Sequence, residues 1–349
     1  MSVAVLTGGL ALLGGASRAA AATAMAAKPF PNGVRLLVAG TPGQRIDCWA
    51  DTLAPVLGRL LPPGTRVAKE NALGNDGVTG ANQFAVRATP DGTTALLAPG
   101  AAATAWLVGD PRVHFDTASW VPVLAGVSPA VLAGRVPLSA LRSRQTLRIA
   151  ASSPTGPELP ALLGLDLLGA HAAPVFGMAT PQQGLAALTG GSVDLMLLHG
   201  EEVPERVRNL TAARAHPLFT FGRLDATGHW RRDPLVPRIP TFEEISLSLL
   251  GRQPEGLLAS AWRAAAAATM LDFALVLPQL TPTDLIALWR NLGQQAADAA
   301  TVRGLAAGTG LSSEAGPAAN ASTTAVAADA TTLLALRSWL ARRFGWHQT

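Results

Sequence analysis

Residues 34–47 read VRLLVAGTPGQRID, and the rest of the chain is organised around this stretch. Its first part, residues 34–39, is a short run of β-branched and apolar residues, which is typical of a buried strand. Small and polar residues follow: Gly40, Thr41, Pro42, Gly43, Gln44 and Arg45. An apolar-periodic segment then starts near Asp47 and favours a helix. The stretch therefore predicts a strand, a tight turn and the start of a helix.

This turn has the chemistry of an anion-binding site. Glycine lets the backbone approach a ligand closely, because no Cβ intervenes. A helix N-terminus presents unpaired N–H groups and the positive end of the helix dipole. Together these features predict a site for a carboxylate or a phosphate. Such a site stabilises a negative group by roughly 0.3–2 kcal/mol, which orients a ligand but does not hold it alone.

The same layout recurs along the chain. Predicted strands at residues 66–70 and 94–98 are followed by glycine-bearing turns, the second of which contains Gly100. Alternation of strands and helices favours a parallel sheet with right-handed crossovers. Ligands collect at the carboxyl ends of the strands in such sheets. We therefore expect Gly100 to lie near the first turn.

A second edge of this kind is predicted further along the chain. Residues 147–151 form a predicted strand, and Pro157 suits the first position of the helix that follows. The turn between them is small and polar, with Ser152, Ser153, Thr155 and Gly156. The sequence thus predicts two similar turns in two separate parts of the fold.

Length and composition narrow the class of protein. The chain has 349 residues, of which 49% are hydrophobic and 14% are charged. This length favours two domains, and this composition favours filled cores over disorder. A net charge of +4 is too small to indicate a nucleic-acid surface. The single cysteine, Cys48, excludes an internal disulfide and is interpreted as a small buried apolar residue.

Residues 1–27 are apolar and rich in alanine. The run at 3–15 is too short to span a bilayer, and the small residues at 19–22 suit a signal-peptidase site. We expect an export signal here, although Arg18 follows the apolar run instead of preceding it. A disordered alanine-rich tail is the alternative interpretation.

Motifs of known enzyme families are missing from the sequence. It contains no G-x-S-x-G, H-E-x-x-H, Walker A or C-x-x-C motif, and its six histidines have no metal-ligand spacing. The only local cluster of acid and base groups is formed by His199, Glu201 and Glu202. We therefore expect a binding protein with no catalytic residues, cofactor or metal. A hydrolase that uses His199 and a nearby serine is an alternative hypothesis.

Several motifs in their order along the chain resemble the Bug-type periplasmic substrate-binding proteins of tripartite tricarboxylate transporters. Residues 190–194, GGSVD, match the family run G-G-x-V-D, and residues 240–244, PTFEE, match its P-T-x-x-E box. Residues 174–177, PVFG, resemble its V-P-Y-x-G segment. Each motif is weak alone, but together with the first turn they cover residues 28–349.

The resemblance implies a two-domain, clam-shell α/β fold, with a mostly parallel sheet flanked by helices in each domain. Domain 1 would comprise residues 28–102 and 226–349, including a C-terminal helix, and domain 2 residues 103–225. The crossings would then lie near Ala103 and Asp225. Within the last part, residues 316–322 are predicted as a loop and residues 323–343 as one long helix. The resemblance also implies export to the periplasm, a monomer, and delivery of ligand to the permease subunits of a transporter.

The ligand implied by the resemblance is a small mono-, di- or tricarboxylate between the two turns, held by backbone amides and hydroxyls. The expected binding residues are Thr41, Pro42, Gly43, Gln44, Arg45, Gly100, Ser152, Ser153, Thr155, Gly156, Phe176 and Gly177. The chain departs from the family pattern in four places: Gln44 replaces a glycine, Arg45 and Ile46 replace a small pair, and Phe176 replaces a tyrosine. The fourth is the family's asparagine-proline-glycine turn, which reads NALG at residues 71–74. Arg45 is interpreted either as a charge-assisted ligand contact or as a solvated side chain at the rim.

Two other functions fit the same residues. The first is a receptor of the same fold that passes its ligand to a signalling partner. The second is a scaffold that binds no ligand, because Gln44 and Arg45 alter the first turn.

Overall fold

The computed structural model describes residue 30 and residues 32–347, so the predicted export signal lies outside the described residues. Within them the strands are β1 (Val34–Ala39), β2 (Val67–Ala72), β3 (Thr94–Ala98), β4 (Val121–Val127), β5 (Val131–Gly134), β6 (Leu147–Ala150), β7 (Ala172–Val175), β8 (Leu195–Leu198), β9 (His216–Thr220), β10 (Arg223–Leu224), β11 (Trp230–Arg231), β12 (Leu271–Leu277) and β13 (Ser312–Ala315). The helices are α1 (Arg45–Leu60), α2 (Val78–Arg87), α3 (Gly100–Val108), α4 (Leu159–Leu167), α5 (Pro181–Gly190), α6 (Val203–Asn209), α7 (Phe242–Leu250), α8 (Leu257–Met270), α9 (Thr283–Asp298), α10 (Ala300–Thr309), α11 (Gly316–Thr324) and α12 (Ala330–Phe344).

Two sheets divide the described residues into two lobes. The sheet of lobe 1 has the order β13-β4-β12-β3-β1-β2, and that of lobe 2 has the order β7-β6-β8-β5-β9. Strand β1 pairs in parallel with β2 and β3, and β6 pairs in parallel with β7 and β8. The predicted two-domain α/β fold class is therefore confirmed.

The sheets are mixed, where mostly parallel sheets were predicted. Strand β12 runs antiparallel to β3 and β4, and β5 runs antiparallel to β8 and β9. The reason is the path of the chain. Strands β4 and β5 lie on either side of the first crossing of the chain between the lobes, and β12 forms after the chain has returned. These strands therefore run in the opposite direction to their neighbours that belong to strand–helix repeats.

The crossings between lobes lie at different positions from those expected near Ala103 and Asp225. The first falls at residues 128–130, between β4 and β5, and Ala103 is buried inside α3. On the way back, the chain leaves the lobe 2 sheet after Thr220, and Asp225 lies in the hairpin of β10 and β11. The residues of β4 do not themselves indicate which sheet the strand joins, because its partners β12 and β13 come much later in the chain.

Local signals at helix ends explain several boundaries. Thr241 and Glu244 form a complete capping box at the start of α7, and Thr180 and Gln183 form one at α5. Two expectations are wrong. Residues 316–322 belong to α11, where Pro317 occupies the favourable first turn, and the terminal helix starts only at Ala330, after the cap Asp329.

Another expectation that is wrong concerns Cys48, which is exposed and not buried. Its neighbours Asp47 and Trp49 on α1 are both buried. Because successive residues on a helix point about 100° apart, Cys48 falls on the solvent side of α1.

Helix α8 joins the two lobes. It packs against α3 of lobe 1 and against α4 of lobe 2. Its Trp262 is 1% exposed and stacks on Phe242 at a centroid distance of 4.1 Å, with Phe221 and Trp230 at 5.8 and 5.6 Å. These aromatic side chains fill the space where the chain returns from lobe 2.

Helix α12 makes a second connection. It packs against α3 and α8, and it also reaches lobe 2. The indole N–H of Trp339 donates to Asp166 of α4 at 2.9 Å, and Arg343 Nε donates to the same carboxylate at 3.2 Å. One hydrophobic core therefore extends through both lobes, from Leu37 and Leu96 to Leu147 and Leu195. None of the described helices combines the length and the apolar character needed to cross a membrane.

Candidate functional site

A cavity of about 630 Å³ opens between the lobes, which is within the size range of small-ligand sites. From lobe 1 it is lined by the starts of α1 and α3, the loop after β2, the end of α8 and the start of β12. From lobe 2 it is lined by residues 155–157, which precede α4, and by residues 199–200, which follow β8. The cavity thus lies at the carboxyl ends of parallel strands.

The first turn uses several of its donors internally. The Thr41 N–H donates to Gln44 Oε1 at 3.1 Å, and the Gly43 N–H donates to Asp47 Oδ2 at 2.9 Å. Gln44 Nε2 donates to Asn75 Oδ1 at 2.8 Å. Thr41, Pro42 and Gly43 therefore shape the turn and do not line the cavity, whereas Gln44 and Arg45 do.

Arg45 begins α1 and points across the cavity. One end of its guanidinium pairs with Asp272 of β12, whose side chain is 1% exposed. Its Nε lies 3.6 Å from Glu201 Oε1 of lobe 2. Burial lowers the pKa of Arg45 and the charge of Glu201 raises it, and an arginine stays protonated at any physiological pH. Arg45 is thus a cation shared between the two lobes.

Asp272 is the buried end of this arrangement. Its Oδ2 accepts a 2.8 Å hydrogen bond from the indole N–H of Trp49, one turn along α1 from Arg45. Sequence analysis did not single out Asp272, although a carboxylate near the start of the otherwise apolar strand β12 is the signal that would have found it.

The start of α3 forms the wall beside Arg45. Gly100 and Ala101 line the cavity, and the N-cap residue, Pro99, makes no side-chain cap. A Cβ at Gly100 would collide with the carbonyl oxygens of Ala268 and Leu271. Glycine is therefore required here by the close approach of α3 to the end of α8.

Some residues of the second turn line the cavity, and others face the interior of lobe 2. Thr155 and Gly156 line the cavity. The backbone N–H and the hydroxyl of Ser152 both donate to Glu158 Oε2, at 3.1 and 2.7 Å. Ser152 lines a smaller pocket of about 80 Å³ behind the main cavity, and Ser153 lines neither. Burial raises the pKa of Glu158, although the hydrogen bonds from Ser152 oppose this.

His199 lies between the two pockets, and its Nε2 is 3.8 Å from Glu158 Oε1. Burial lowers its pKa to about 4, and the nearby cations Arg45 and Arg206 act in the same direction. The imidazole is therefore neutral at neutral pH. Within the described residues, no serine hydroxyl hydrogen-bonds to it, and the hydroxyl of Ser152 donates to Glu158 instead.

The last two expected residues lie away from the cavity. Phe176 packs edge-on against Phe344 of α12, with ring centroids 5.8 Å apart, and is 42% exposed. Gly177 follows it and does not line the cavity either. Of the expected residues, the structure brings together Gln44, Arg45, Gly100, Thr155 and Gly156.

A second ionic group lines the rim of lobe 1. Arg112 donates through Nη2 to Asp76 at 2.7 Å and to Asp110 at 2.6 Å, and its Nε also contacts Asp110 at 3.0 Å. Sequence analysis missed these side chains, since Asp76 lies in the loop after β2 and the other two follow α3, in both cases without a distinctive motif. Across the described part of the chain, no cluster of three or more His, Cys, Asp or Glu is arranged to hold a metal ion.

No protein-family model matches this sequence, and no curated protein matches it. Solved structures are similar in fold. A TctC solute-binding protein from Polaromonas, solved without ligand, is 14% identical over 90% of this chain and 99% of its own, with a TM-score of 0.67. MatC from Rhodopseudomonas palustris, with bound malate, is 20% identical over 89% and 100%, with a TM-score of 0.53. An R. palustris protein solved with adipate is 19% identical over 89% and 97%, with a TM-score of 0.50. At these identities the similarity establishes architecture, and the chain has the two-domain fold of the TctC-type solute-binding proteins.

Proposed function

We propose that this protein is an extracytoplasmic solute-binding protein that captures a small carboxylate between its two lobes. One observation carries the proposal. The starts of α1 and α3 both line the interlobe cavity, and neither has a side-chain cap. Two helix N-termini at one cavity favour an anionic ligand, because both present the positive end of a helix dipole.

The opposite lobe supplies complementary groups. Thr155 offers a hydroxyl, and Gly156 offers a surface without a side chain. Arg45, at the start of α1, can donate a charge-assisted hydrogen bond to the carboxylate of a ligand. The binding residues proposed from the expected set are thus Gln44, Arg45, Gly100, Thr155 and Gly156, with Thr41, Pro42 and Gly43 shaping the first turn.

The remaining parts of the proposal follow from the fold and its neighbours. Two structures of this fold were solved with dicarboxylates, malate and adipate. We propose that the protein acts as a monomer in the periplasm and passes its ligand to the permease subunits of a tripartite-type transporter. A signalling receptor of the same fold would differ in its partner and not in its cavity.

The test is ligand binding to the purified protein. Thermal shift and isothermal titration calorimetry against a panel of mono-, di- and tricarboxylates should give saturable stabilisation with at least one member. A ligand at about one hundred times its Kd stabilises the folded state by about 2.7 kcal/mol, which is readily measured. A folded protein that shows neither heat nor stabilisation with any carboxylate would overturn the proposal.

Two arginine variants show where binding occurs. Arg45→Gln removes the cation from the cavity and should weaken carboxylate binding by about tenfold or more, since a charge-assisted hydrogen bond contributes about 1.5–3 kcal/mol. Arg59→Gln removes an exposed arginine from the last turn of the same helix and should leave affinity unchanged. Equal affinity in both variants would place the ligand elsewhere.

A further inference from the structure

The charges around the cavity do not favour a multiply charged anion. The side chains that line it include two arginines, Arg45 and Arg112, and three aspartates, Asp76, Asp110 and Asp272. His199 also lines it and is neutral at neutral pH, because burial lowers its pKa to about 4. The ionised lining therefore carries one more negative than positive side chain, before any ligand enters.

The two arginines are already engaged to different degrees. Arg112 uses Nε and Nη2 on Asp110 and Nη2 on Asp76, so its charge is fully countered at the rim. Arg45 pairs with Asp272 through Nη2 and lies near Glu201 through Nε. Its Nη1 makes no hydrogen bond within the described residues and lies beside Gly200. Arg112 is therefore held at the rim by two close aspartates, whereas Arg45 has one close aspartate partner and a longer contact to Glu201.

The surroundings supply little further positive charge. Arg206, just outside the cavity, is paired with Glu202 at 3.7 Å. The N-cap residue of α4, Glu158, is itself acidic. The starts of α1 and α3 contribute about half a positive charge each, which roughly offsets the excess aspartate and leaves no large positive field.

We infer that the cavity selects a ligand with a single negative charge, one carboxylate on an otherwise uncharged small molecule, over a di- or tricarboxylate of the same size. The geometry that carries this inference is a cavity lined by two arginines and three aspartates, in which Arg45 lies between Asp272 and Glu201 and Arg112 is held by Asp76 and Asp110. The carboxylate pairs with Arg45 beside the starts of α1 and α3, and the uncharged end lies against Thr104, Ala105 and Val108 of α3. This inference rests on the proposed function and narrows its ligand class.

Matched ligand pairs test the charge preference directly. Each pair is a diacid and its monoamide, which have the same length and shape but differ by one charge: succinate with succinamate, and adipate with adipamate. Glutarate and suberate with their monoamides complete the series. Calorimetry at pH 7.5 should show the monoamide of the best-fitting length binding about tenfold or more tightly than its diacid.

The outcomes separate the two proposals. Binding of a diacid as tightly as, or more tightly than, its monoamide overturns the charge preference and leaves the carboxylate-binding function intact. Absence of binding by every member of the pairs and of the wider panel overturns the function itself.

A variant of lobe 2 supplies an independent measurement. Glu201→Gln keeps the shape of a half-exposed side chain and removes one negative charge 3.6 Å from Arg45. The ratio of monoamide to diacid affinity should fall by about threefold or more, because the diacid gains most from losing that repulsion. Glu205→Gln, at an exposed position in the nearby helix α6, is the matched control and should leave the ratio unchanged. An unchanged ratio in Glu201→Gln would contradict the inference.

Discussion

At the scale of single residues, His199 makes the fold sensitive to acid. Its pKa is lowered to about 4 from 6.5 by burial, with Arg45 and Arg206 adding to the effect. Glu158, which is 3.8 Å away, is itself shifted toward its neutral form, since burial raises its pKa. Unfolding exposes the imidazole, so below pH 6.5 the unfolded state takes up a proton that the folded state does not.

This difference predicts a specific loss of stability. Between pH 6.5 and pH 4 the free energy of unfolding should fall by about 3 kcal/mol more in the natural protein than in His199→Gln, which has no titrating group there. Urea denaturation at half-unit pH steps measures it. His171→Gln, at an exposed position directly before β7, gives the baseline for a His→Gln exchange. Parallel stability curves for the natural protein and His199→Gln would contradict the account.

The residues of the site were predictable only where the neighbouring sequence determines their position in the fold. Gln44 and Arg45 reach the cavity because the strand–turn–helix pattern around them is local. Asp272 is far from both in sequence, and only the pairing of β12 next to β3 brings it beneath Arg45. Phe176 was expected from a family motif, but its ring finds a partner in Phe344, which no short-range pattern indicates.

At the scale of elements, the fit between α3 and α8 depends on one glycine. Gly100→Ala would drive a methyl group into the carbonyl oxygens of Ala268 and Leu271, which belong to the backbone and cannot rotate away. We expect a loss of about 2 kcal/mol or more in the free energy of unfolding, comparable to other cases of overpacking. Guanidinium denaturation measures this loss.

A second glycine provides the opposite case. Gly304 lies inside α10, and a Cβ there would meet nothing within 4 Å. Gly304→Ala should raise the free energy of unfolding by up to about 1 kcal/mol, because alanine is the better helix former. If both substitutions lowered the free energy of unfolding, the contact of Gly100 with the two carbonyl oxygens would not explain the loss in Gly100→Ala.

Elements were predicted best where one short pattern identifies them. The capping boxes of α5 and α7 are each formed within four consecutive residues, a pattern that a sequence alone can show. Residues 316–322 were misjudged because glycine, proline and asparagine suggest a loop, whereas in the fold Pro317 begins a helix that packs on β4. Strand β4 was placed in the wrong half for a similar reason, since its partners β12 and β13 come much later in the chain.

At the scale of the whole molecule, the shared core should make the two lobes unfold together. Helices α8 and α12 contact both lobes, and one hydrophobic cluster includes residues of both sheets. Domains joined through a large apolar contact lose their independence, so we expect a single transition in scanning calorimetry, with equal calorimetric and van't Hoff enthalpies.

Trp262 is the residue through which this coupling can be weakened. Trp262→Ala would remove the ring that packs against Phe242, Phe221 and Trp230, at a cost of about 3–5 kcal/mol. The variant should also broaden or split the transition. Two separate transitions in the natural protein would show that the lobes are independent.

Trp49 gives the cavity an optical property. The sequence contains eight tryptophans and no tyrosine, so ultraviolet emission from this protein comes from indole almost alone. The ring of Trp49 holds the carboxylate that faces Arg45. A ligand that draws the Arg45 guanidinium away from Asp272 changes the electric field on the Trp49 ring. Its binding should therefore shift the tryptophan emission spectrum, so that binding can be followed without any added dye.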